Sequence, residues 1–487
     1  MSASETTPLL PPSPSLSPSS SSIDKEKNNR FVFYVCLITL FIINGGASVS
    51  VPPTTSILQD LLCERHYAQR GLTRAGTDEL DCKIEPVQSS LSMLRGVVGL
   101  LTLLPGLLLG VPYAALAESW GIKRVLLLSV TGIISCEVWF NLVCWFGRNL
   151  PLQLIYLTPL GYLVGGGPSV GGPLLYVLVA DYSPAELRPT RFFLMEAAAY
   201  SGTVLGYMAS SAIMNKHLWA SVVLGPCLVF STFFLVLLFP NDCPVGGKAH
   251  PNAGPDPAPA PEAKSTLHTI RTAMALFKGQ SGLVLILLGF VLRCLGDGVM
   301  ALLIIYASQV FDWSFSQSGY LLSLQNATHL AVLLILPVVD RLLAQYLGRA
   351  RQTEPEFIEP STGLAKHFSL ARGSALLSAI GSAGMALFKL PFLFVISVVL
   401  YGLGSGYNQS IRSILTLSTP EEHRAITYSV MGIMEAAGTL VGAPFWPLMY
   451  QIGLKGNGYW VGLPFVVTAG LMAGVWVTLY VARVHAV

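Results

Sequence analysis

The sequence predicts an all-α integral membrane protein with twelve transmembrane helices arranged in two pseudo-symmetric six-helix halves. Three observations lead to this fold class. Of the 487 residues, 52% are hydrophobic and 11% are charged, whereas roughly a quarter of the residues are charged in soluble domains. Apolar runs of about twenty residues, the length that crosses a bilayer, alternate with short segments rich in proline, glycine and charge. Short motifs of the first half also recur in the second half.

Polar stretches at the start and near the middle of the chain set the predicted boundaries. Residues 1–30, rich in proline and serine, are predicted to be a disordered cytoplasmic tail. The proline-rich stretch 240–281 has the composition of a cytoplasmic linker. The two halves are then 31–239 and 282–484. The predicted spans are 31–51, 91–114, 124–146, 152–179, 191–213, 219–239, 282–308, 319–339, 370–388, 391–414, 425–450 and 459–482.

An internal repeat relates the two halves. Residues 165–167 of the fourth span read Gly-Gly-Gly, and residues 404–406 of the tenth span read Gly-Ser-Gly. The same offset of 239 superposes two Met-Glu-Ala-Ala segments, at 195–198 and 434–437. Halves related in this way are expected when a binding site lies between them and opens alternately to either side.

The distribution of lysine and arginine predicts the orientation. With the N-terminus inside, 19 of these residues fall on the inner side and 8 on the outer side. Because cytoplasmic segments carry the excess of positive charge, both termini are expected in the cytoplasm. The plasma membrane is the favoured location. The vacuolar membrane is the alternative, because Glu-Thr-Thr-Pro-Leu-Leu at 5–10 resembles an acidic dileucine sorting signal.

Several classes of function are excluded at this stage. The net charge of +3, without a basic block, argues against a nucleic-acid partner. No convergent set of nucleophile, base or metal ligands is visible, so no enzyme activity, cofactor or metal is expected. The expected partners are a small-molecule substrate, a proton and membrane lipid, and a monomer is expected to be functional. Cys63 and Cys82 share a polar loop, where a disulfide forms if the loop faces an oxidising compartment; the bonded and free states both remain open.

A charged motif follows the second span. Residues 114–124 contain Glu118, Gly121, Lys123 and Arg124, which match the acid, the second glycine and the basic pair of Gly-x-x-x-Asp-Arg-x-Gly-Arg-Lys. Through this motif and the span pattern, the chain resembles the major facilitator superfamily. The resemblance implies alternating access, and the acid and basic pair can form an inter-helix clamp that holds one gate state closed.

Further features refine the resemblance. Asp340 and Arg341 in the second half look like a stretched copy of the gate motif, and the glycine-rich fourth span is similar to that of fungal exporters of secondary metabolites. This likeness implies proton-coupled efflux of a hydrophobic metabolite or drug. The fourth span, however, lacks the arginine typical of proton-driven exporters, and Tyr207 stands where their proline would be. A proton-coupled importer of a nutrient or organic anion therefore stays open, as does a non-transporting receptor on a transporter scaffold.

Ionisable residues inside spans are costly and mark functional sites. Glu435 lies about eleven residues beyond Arg424, roughly 16 Å into the membrane, and is the preferred proton-binding carboxylate; a structural ion pair with a neighbouring helix is the alternative. Asp297 and Glu196 are the other proton-coupling candidates. Glu196 lies nearer the surface, about eight residues beyond Arg188, and for this residue pairing with loop arginines is the favoured expectation.

Other polar residues of the spans are expected to line the substrate cavity. Arg293 and Asp297, four residues apart, share one helix face and form either a self-contained ion pair or a pair that substrate or proton binding breaks. Arg95 lies in the outer half of the second span, where it can bind an anionic group or clamp the outer gate. The cavity candidates are Arg95, Arg293, His329, Gln325 and Asn326.

Overall fold

The computed structural model describes residues 20–71, 81–184, 187–240, 281–350, 361–419, 424–456 and 460–486, and near some helix ends it describes the backbone alone. Within these ranges every regular element is a helix, which confirms the all-α prediction. The predicted linker 240–281 lies almost wholly outside the described residues.

The helices before residue 241 are here named the N-terminal group. They are α1 (Ser20–Ala68), α2 (Glu85–Trp120), α3 (Ile122–Trp145), a 3-10 helix (Leu152–Leu163), α4 (Pro168–Asp181), α5 (Arg188–Met214) and α6 (Leu218–Leu237).

The helices after residue 280 are named the C-terminal group. They are α7 (Ser281–Asp297), a second 3-10 helix (Gly298–Leu302), α8 (Leu303–Phe311), α9 (Phe315–Ala350), α10 (Ser361–Leu387), α11 (Pro391–Leu403), α12 (Gly406–Ser418), α13 (Arg424–Lys455) and α14 (Leu463–Ala486).

Ten helical segments of the described chain are long and apolar enough to cross a membrane. This agrees with a multi-pass membrane protein. Two predicted spans, 191–213 and 425–450, form long helices but fall outside the ten. Both helices, α5 and α13, carry an acidic residue that lines a cavity between the groups. The count of twelve spans remains a prediction.

The first helix is longer than the predicted span 31–51. It begins at Ser20, inside the stretch predicted to be a tail, and continues through Pro52 and Pro53 to Ala68. Its outer part is held by tertiary packing, because Leu58 and Leu61 are buried in the main core. Packing of this kind overrides the low helix propensity of the two prolines.

The fourth predicted span bends at its glycines. Gly165, Gly166 and Gly167 all have positive φ, of 79°, 72° and 60°, in a region that residues with a Cβ rarely adopt. A Cβ at Gly165 would overlap the backbone of Leu128 in α3. The equivalent Gly404 has an ordinary φ of −71°, so the sequence repeat is not a repeat of local conformation.

The two groups pack together at the predicted outer end. Helix α5 packs on α9, and α2 packs on α13. The Ser316 hydroxyl donates to the carbonyl oxygen of Ser211 at 2.6 Å, and the Ser323 hydroxyl donates to that of Val204 at 2.9 Å. These contacts close the outer end of the bundle between the groups.

Candidate functional site

A polar cavity of about 290 Å³ lies between the two groups. Two of its lining residues lie near helix ends. Glu196 is eight residues after the start of α5, and Arg412 is six residues before the end of α12. Both of these helix ends belong to the predicted cytoplasmic side. The lining residues are Glu196, Tyr200, Arg293, Asp297, Met300, Gln325, His329, Val332, Leu333, Tyr401, Ser405, Asn408, Gln409, Arg412 and Glu435. This space is called the polar cavity below.

Arg293 and Asp297 form an ion pair at one wall of the polar cavity. Arg293 Nε donates to Asp297 Oδ2 at 3.1 Å, and Nη2 lies 3.0 Å from Oδ1. Tyr401 donates its hydroxyl to Oδ1 at 2.7 Å, and Arg293 Nη1 donates to the Ser378 hydroxyl at 2.5 Å. The guanidinium side chain is 2% exposed and the carboxylate 36% exposed. The pair therefore presents its acid to the cavity and keeps its base in the protein.

Two further carboxylates face the same space. Glu196 interacts electrostatically with Arg412 and with Glu435. Glu435 is exposed to the cavity, and among the described side chains it has no ion-pair partner within 4 Å. Arg188, the first residue of α5, forms no ion pair with Glu196 among the described side chains, and its Nε donates to the carbonyl oxygen of Ala180 at 3.0 Å. The three proton-coupling candidates thus share one cavity.

The polar patch predicted on the eighth span is only partly in the cavity. Gln325 and His329 line it. The His329 ring lies edge-on to Tyr200 of the N-terminal group, with 5.9 Å between the centroids, and His329 Nε2 has no hydrogen-bond partner among the described residues. Asn326 donates to the carbonyl oxygen of Leu322 in its own helix at 2.8 Å and does not line the cavity.

A second cavity, of about 410 Å³, adjoins the first at Met300 and contains Arg95. Its walls are mainly apolar, so it is called the apolar cavity below. The residues around it are Val51, Ser92, Arg95, Gly96, Gly99, Leu103, Tyr207, Gly298, Met300, Ala301, Leu302, Ile304, Ile305, Leu322, Thr439, Gly442, Ala443, Trp446 and Pro447. Of the five predicted cavity residues, four therefore line one of two separate cavities, and Asn326 lines neither.

The predicted gate motif does not form a clamp in this arrangement. Glu118 is exposed, and it has no ion pair with any side chain that the structure describes. Lys123 Nζ donates to the carbonyl oxygen of Phe239, at the end of α6, at 2.7 Å. Asp340 and Arg341 lie in α9, but their side chains fall outside the described residues. The gate role of this motif remains a prediction.

Polar contacts at the outer end centre on the segment before α2. Cys63 of α1 and Cys82 form a disulfide. The next residue, Lys83, makes an ion pair with Asp312, which lies between α8 and α9 of the C-terminal group. The disulfide therefore links the segment before α2 to α1, and Lys83 of this segment connects the two groups.

The ion pair between Lys83 and Asp312 has a predictable pH range. The hydrogen bond and the charge of Lys83 hold the pKa of Asp312 below its usual value. Because the pKa of Asp312 is lower in the folded than in the unfolded protein, the contact contributes fully above the ordinary carboxyl pKa of about 4, and its contribution is lost as the pH falls below that value. We expect the melting temperatures of wild type and Lys83→Gln to differ by a constant amount from pH 7 to pH 5, and by less in more acidic buffer.

Arg148→Gln provides the control for this comparison. Its side chain pairs with Glu64 inside the N-terminal group, so its loss should leave the contacts between the groups unchanged. If the difference between wild type and Lys83→Gln disappeared already near pH 6, a group other than Asp312 would control the contact.

Sequence reasoning missed several residues of the polar cavity. Arg412 is one of the 19 basic residues of the predicted inner side, and it lies within α12 and lines the cavity. Asn408 and Gln409 line the cavity with it. The available signal was spacing, because Asn408 and Arg412 are four residues apart and share a helix face.

Comparisons with known proteins agree with this architecture. The sequence model of the Major Facilitator Superfamily matches residues 84–353. The chain is 28% identical to the MFS efflux pump atnC of Emericella nidulans, over 97% of this chain and 91% of that protein. It is 27% identical to the efflux pump ustT of Aspergillus flavus, over 90% and 85% of the two chains. The crystal structure of the nucleoside transporter NupG is similar, with a TM-score of 0.60 at 12% identity and coverage of 94% and 98%.

Proposed function

Because this chain belongs to the major facilitator superfamily, we propose that it is a secondary active transporter that exports a small hydrophobic metabolite or drug by alternating access. The observation that carries the proposal is a polar cavity between two helix groups whose described contacts include hydrogen bonds that close the predicted outer end. Such a space can open alternately to either side of a membrane. Export is favoured over import because relatives matched over most of the chain are named efflux pumps.

We propose inward proton flow as the driving force, with Glu435 as the proton-binding group. Asp297 is already held by Arg293 and Tyr401, and Glu196 faces Arg412. Glu435 faces the cavity and another carboxylate, so a proton bound there would relieve Coulombic repulsion. Protonation of Glu435 would change the net charge of the polar cavity, and a proton that binds one access state more tightly than the other shifts the balance between them.

Orientation and location complete the proposal. Both termini would lie in the cytoplasm. The polar cavity would then open to the cytoplasm in this structure and admit substrate from that side. The protein would act as a monomer in the plasma membrane, with the vacuolar membrane as the alternative. A fluorescent fusion distinguishes the two membranes.

The direction of transport is tested by comparing the metabolites of cells with and without the gene. For an exporter, we expect at least one organic compound to rise inside deletion cells and to fall in the medium. The opposite change identifies an importer. If no compound changes on either side, the receptor alternative is favoured and the transport proposal fails.

The proton-binding role of Glu435 is tested in proteoliposomes under an imposed pH gradient, with the compound identified in the deletion cells as substrate. We expect Glu435→Gln to reduce gradient-driven flux to background, while counterflow exchange of the compound without a gradient is retained. Glu64→Gln, which changes a carboxylate paired at the outer surface, should keep wild-type flux. Full gradient-driven flux in Glu435→Gln would exclude Glu435 as the coupling group.

A further inference from the structure

Arg95 occupies a position that an internal ion pair does not explain. It lies in α2, within a membrane-spanning segment, where an arginine without a partner is costly. Among the described residues, no carboxylate lies within ion-pair distance of its guanidinium. This contrasts with Arg293, whose charge is balanced by Asp297 at 3.0 Å.

The Arg95 guanidinium is oriented by a hydrogen bond to Thr55, and this bond takes only one of its N–H donors. Thr55 donates its hydroxyl to the carbonyl oxygen of Val51 at 2.6 Å, so its oxygen is free to accept a hydrogen bond from Arg95 Nη1. An arginine has five N–H donors in a planar fork that matches carboxylate or phosphate oxygens. The contact with Thr55 orients this fork and leaves donors for a ligand. Ser92 and Tyr207 line the same cavity.

The rest of the apolar cavity fits a hydrocarbon body. Val51, Leu103, Ile304, Ile305, Leu322 and Trp446 contribute to its walls. Its volume of about 410 Å³ is within the range of small-molecule sites. Leu103 and Trp446 belong to different groups, so a ligand in this space would touch both and would sense their relative movement.

The charge of the two cavities indicates where a negatively charged group would bind. The polar cavity has three carboxylates against two guanidinium groups, and each guanidinium there faces an acid. The apolar cavity has one guanidinium and no acidic residue in its lining. An anion is therefore repelled less and attracted more at Arg95.

From this geometry we propose that the transported compounds are amphiphilic organic anions, whose negative group binds Arg95 while the apolar body fills the apolar cavity. This inference rests on the proposed transport function and specifies its substrate class. It also gives the two cavities separate roles. Substrate binds at Arg95 in the apolar cavity, and the proton binds at Glu435 in the polar cavity.

The test uses two compounds of nearly equal size, 2-naphthoate and 2-naphthamide, which differ in charge. Binding is measured by equilibrium dialysis against the full-length protein in nanodiscs, with empty nanodiscs as the blank. We expect wild type to bind the naphthoate about tenfold more tightly than the amide, as one charge-assisted contact implies. Arg95→Gln should remove this preference and change amide binding less than twofold.

Two control variants keep the result interpretable. Arg95→Lys retains the charge without the fork and should keep part of the preference. Arg148→Gln removes an exposed outer guanidinium and should keep all of it. The proposal is overturned if wild type binds both compounds equally, if it binds neither at millimolar concentration, or if Arg95→Gln still prefers the anion.

The metabolite comparison separates failure of this inference from failure of the transport function. If deletion cells accumulate a neutral compound that Arg95→Gln still exports, export stands and the anionic substrate class is wrong. If they accumulate an organic anion and Arg95→Gln fails to export it while Arg148→Gln succeeds, both proposals are supported.

Discussion

Replacement of Gly96 by leucine should abolish transport by preventing closure of the outer end. A Cβ at Gly96 would lie 2.6 Å from the carbonyl oxygen of Ala443 and would clash with the ring of Pro447. Both neighbours belong to α13, which packs against α2 across the two groups. Because packed interfaces have no room for an added side chain, the variant can relieve the clash only by separating these helices. We therefore expect a shift towards an outward-open state.

Hydrogen–deuterium exchange measures this shift directly. Peptides from the outer parts of α2 and α13 should exchange faster in Gly96→Leu than in wild type, while the cytoplasmic ends of the helices become more protected. Export of the compound identified in deletion cells should fall to the level of the deletion strain. Gly110→Leu is the matched control on the same helix, because no atom lies within 4 Å of a Cβ at Gly110. Unchanged exchange in Gly96→Leu would show that the contact does not limit opening.

Some residues of the polar cavity could be predicted from their side-chain type, because ionisable groups are rare inside membrane spans. A carboxylate or guanidinium within a span is too costly to face lipid, so Asp297 and Glu435 were expected at functional sites inside the helix bundle. Helix rise placed Glu435 deep in the membrane, and the spacing of Arg293 and Asp297 predicted their contact. These arguments need only one helix at a time.

Contacts between distant segments could not be predicted in the same way. Lys83 and Asp312 are separated by 229 residues, and both are ordinary surface residues in the sequence. The residues around Arg95 in the sequence do not indicate that it lines a different cavity from Arg293. The division into two cavities depends on how the two groups pack together. Glu196 was expected near loop arginines, but the packing of α5 against the C-terminal group places it opposite Arg412.

The ion pair of Arg293 and Asp297 should show a marked asymmetry when either partner is removed. In Asp297→Asn, the guanidinium stays buried without its counter-ion, a change that costs about 3–5 kcal/mol in other buried pairs. In Arg293→Met, the carboxylate that remains is 36% exposed to the cavity and keeps its hydrogen bond from Tyr401. Water can then solvate it, so we expect a smaller loss of about 1–3 kcal/mol.

The double variant Arg293→Met with Asp297→Asn determines whether the cost comes from an uncompensated charge. It leaves no ion buried, and methionine retains much of the apolar stem, so its free energy of unfolding should lie well above that of Asp297→Asn. Reversible unfolding in mixed micelles provides the measurement. If Asp297→Asn were as stable as wild type, Arg293 would have to be neutralised by another group. If instead both single variants lost the same free energy of unfolding, the partial exposure of Asp297 to the cavity would not lower the cost of leaving its charge unpaired, and the argument that water solvates this carboxylate would fail.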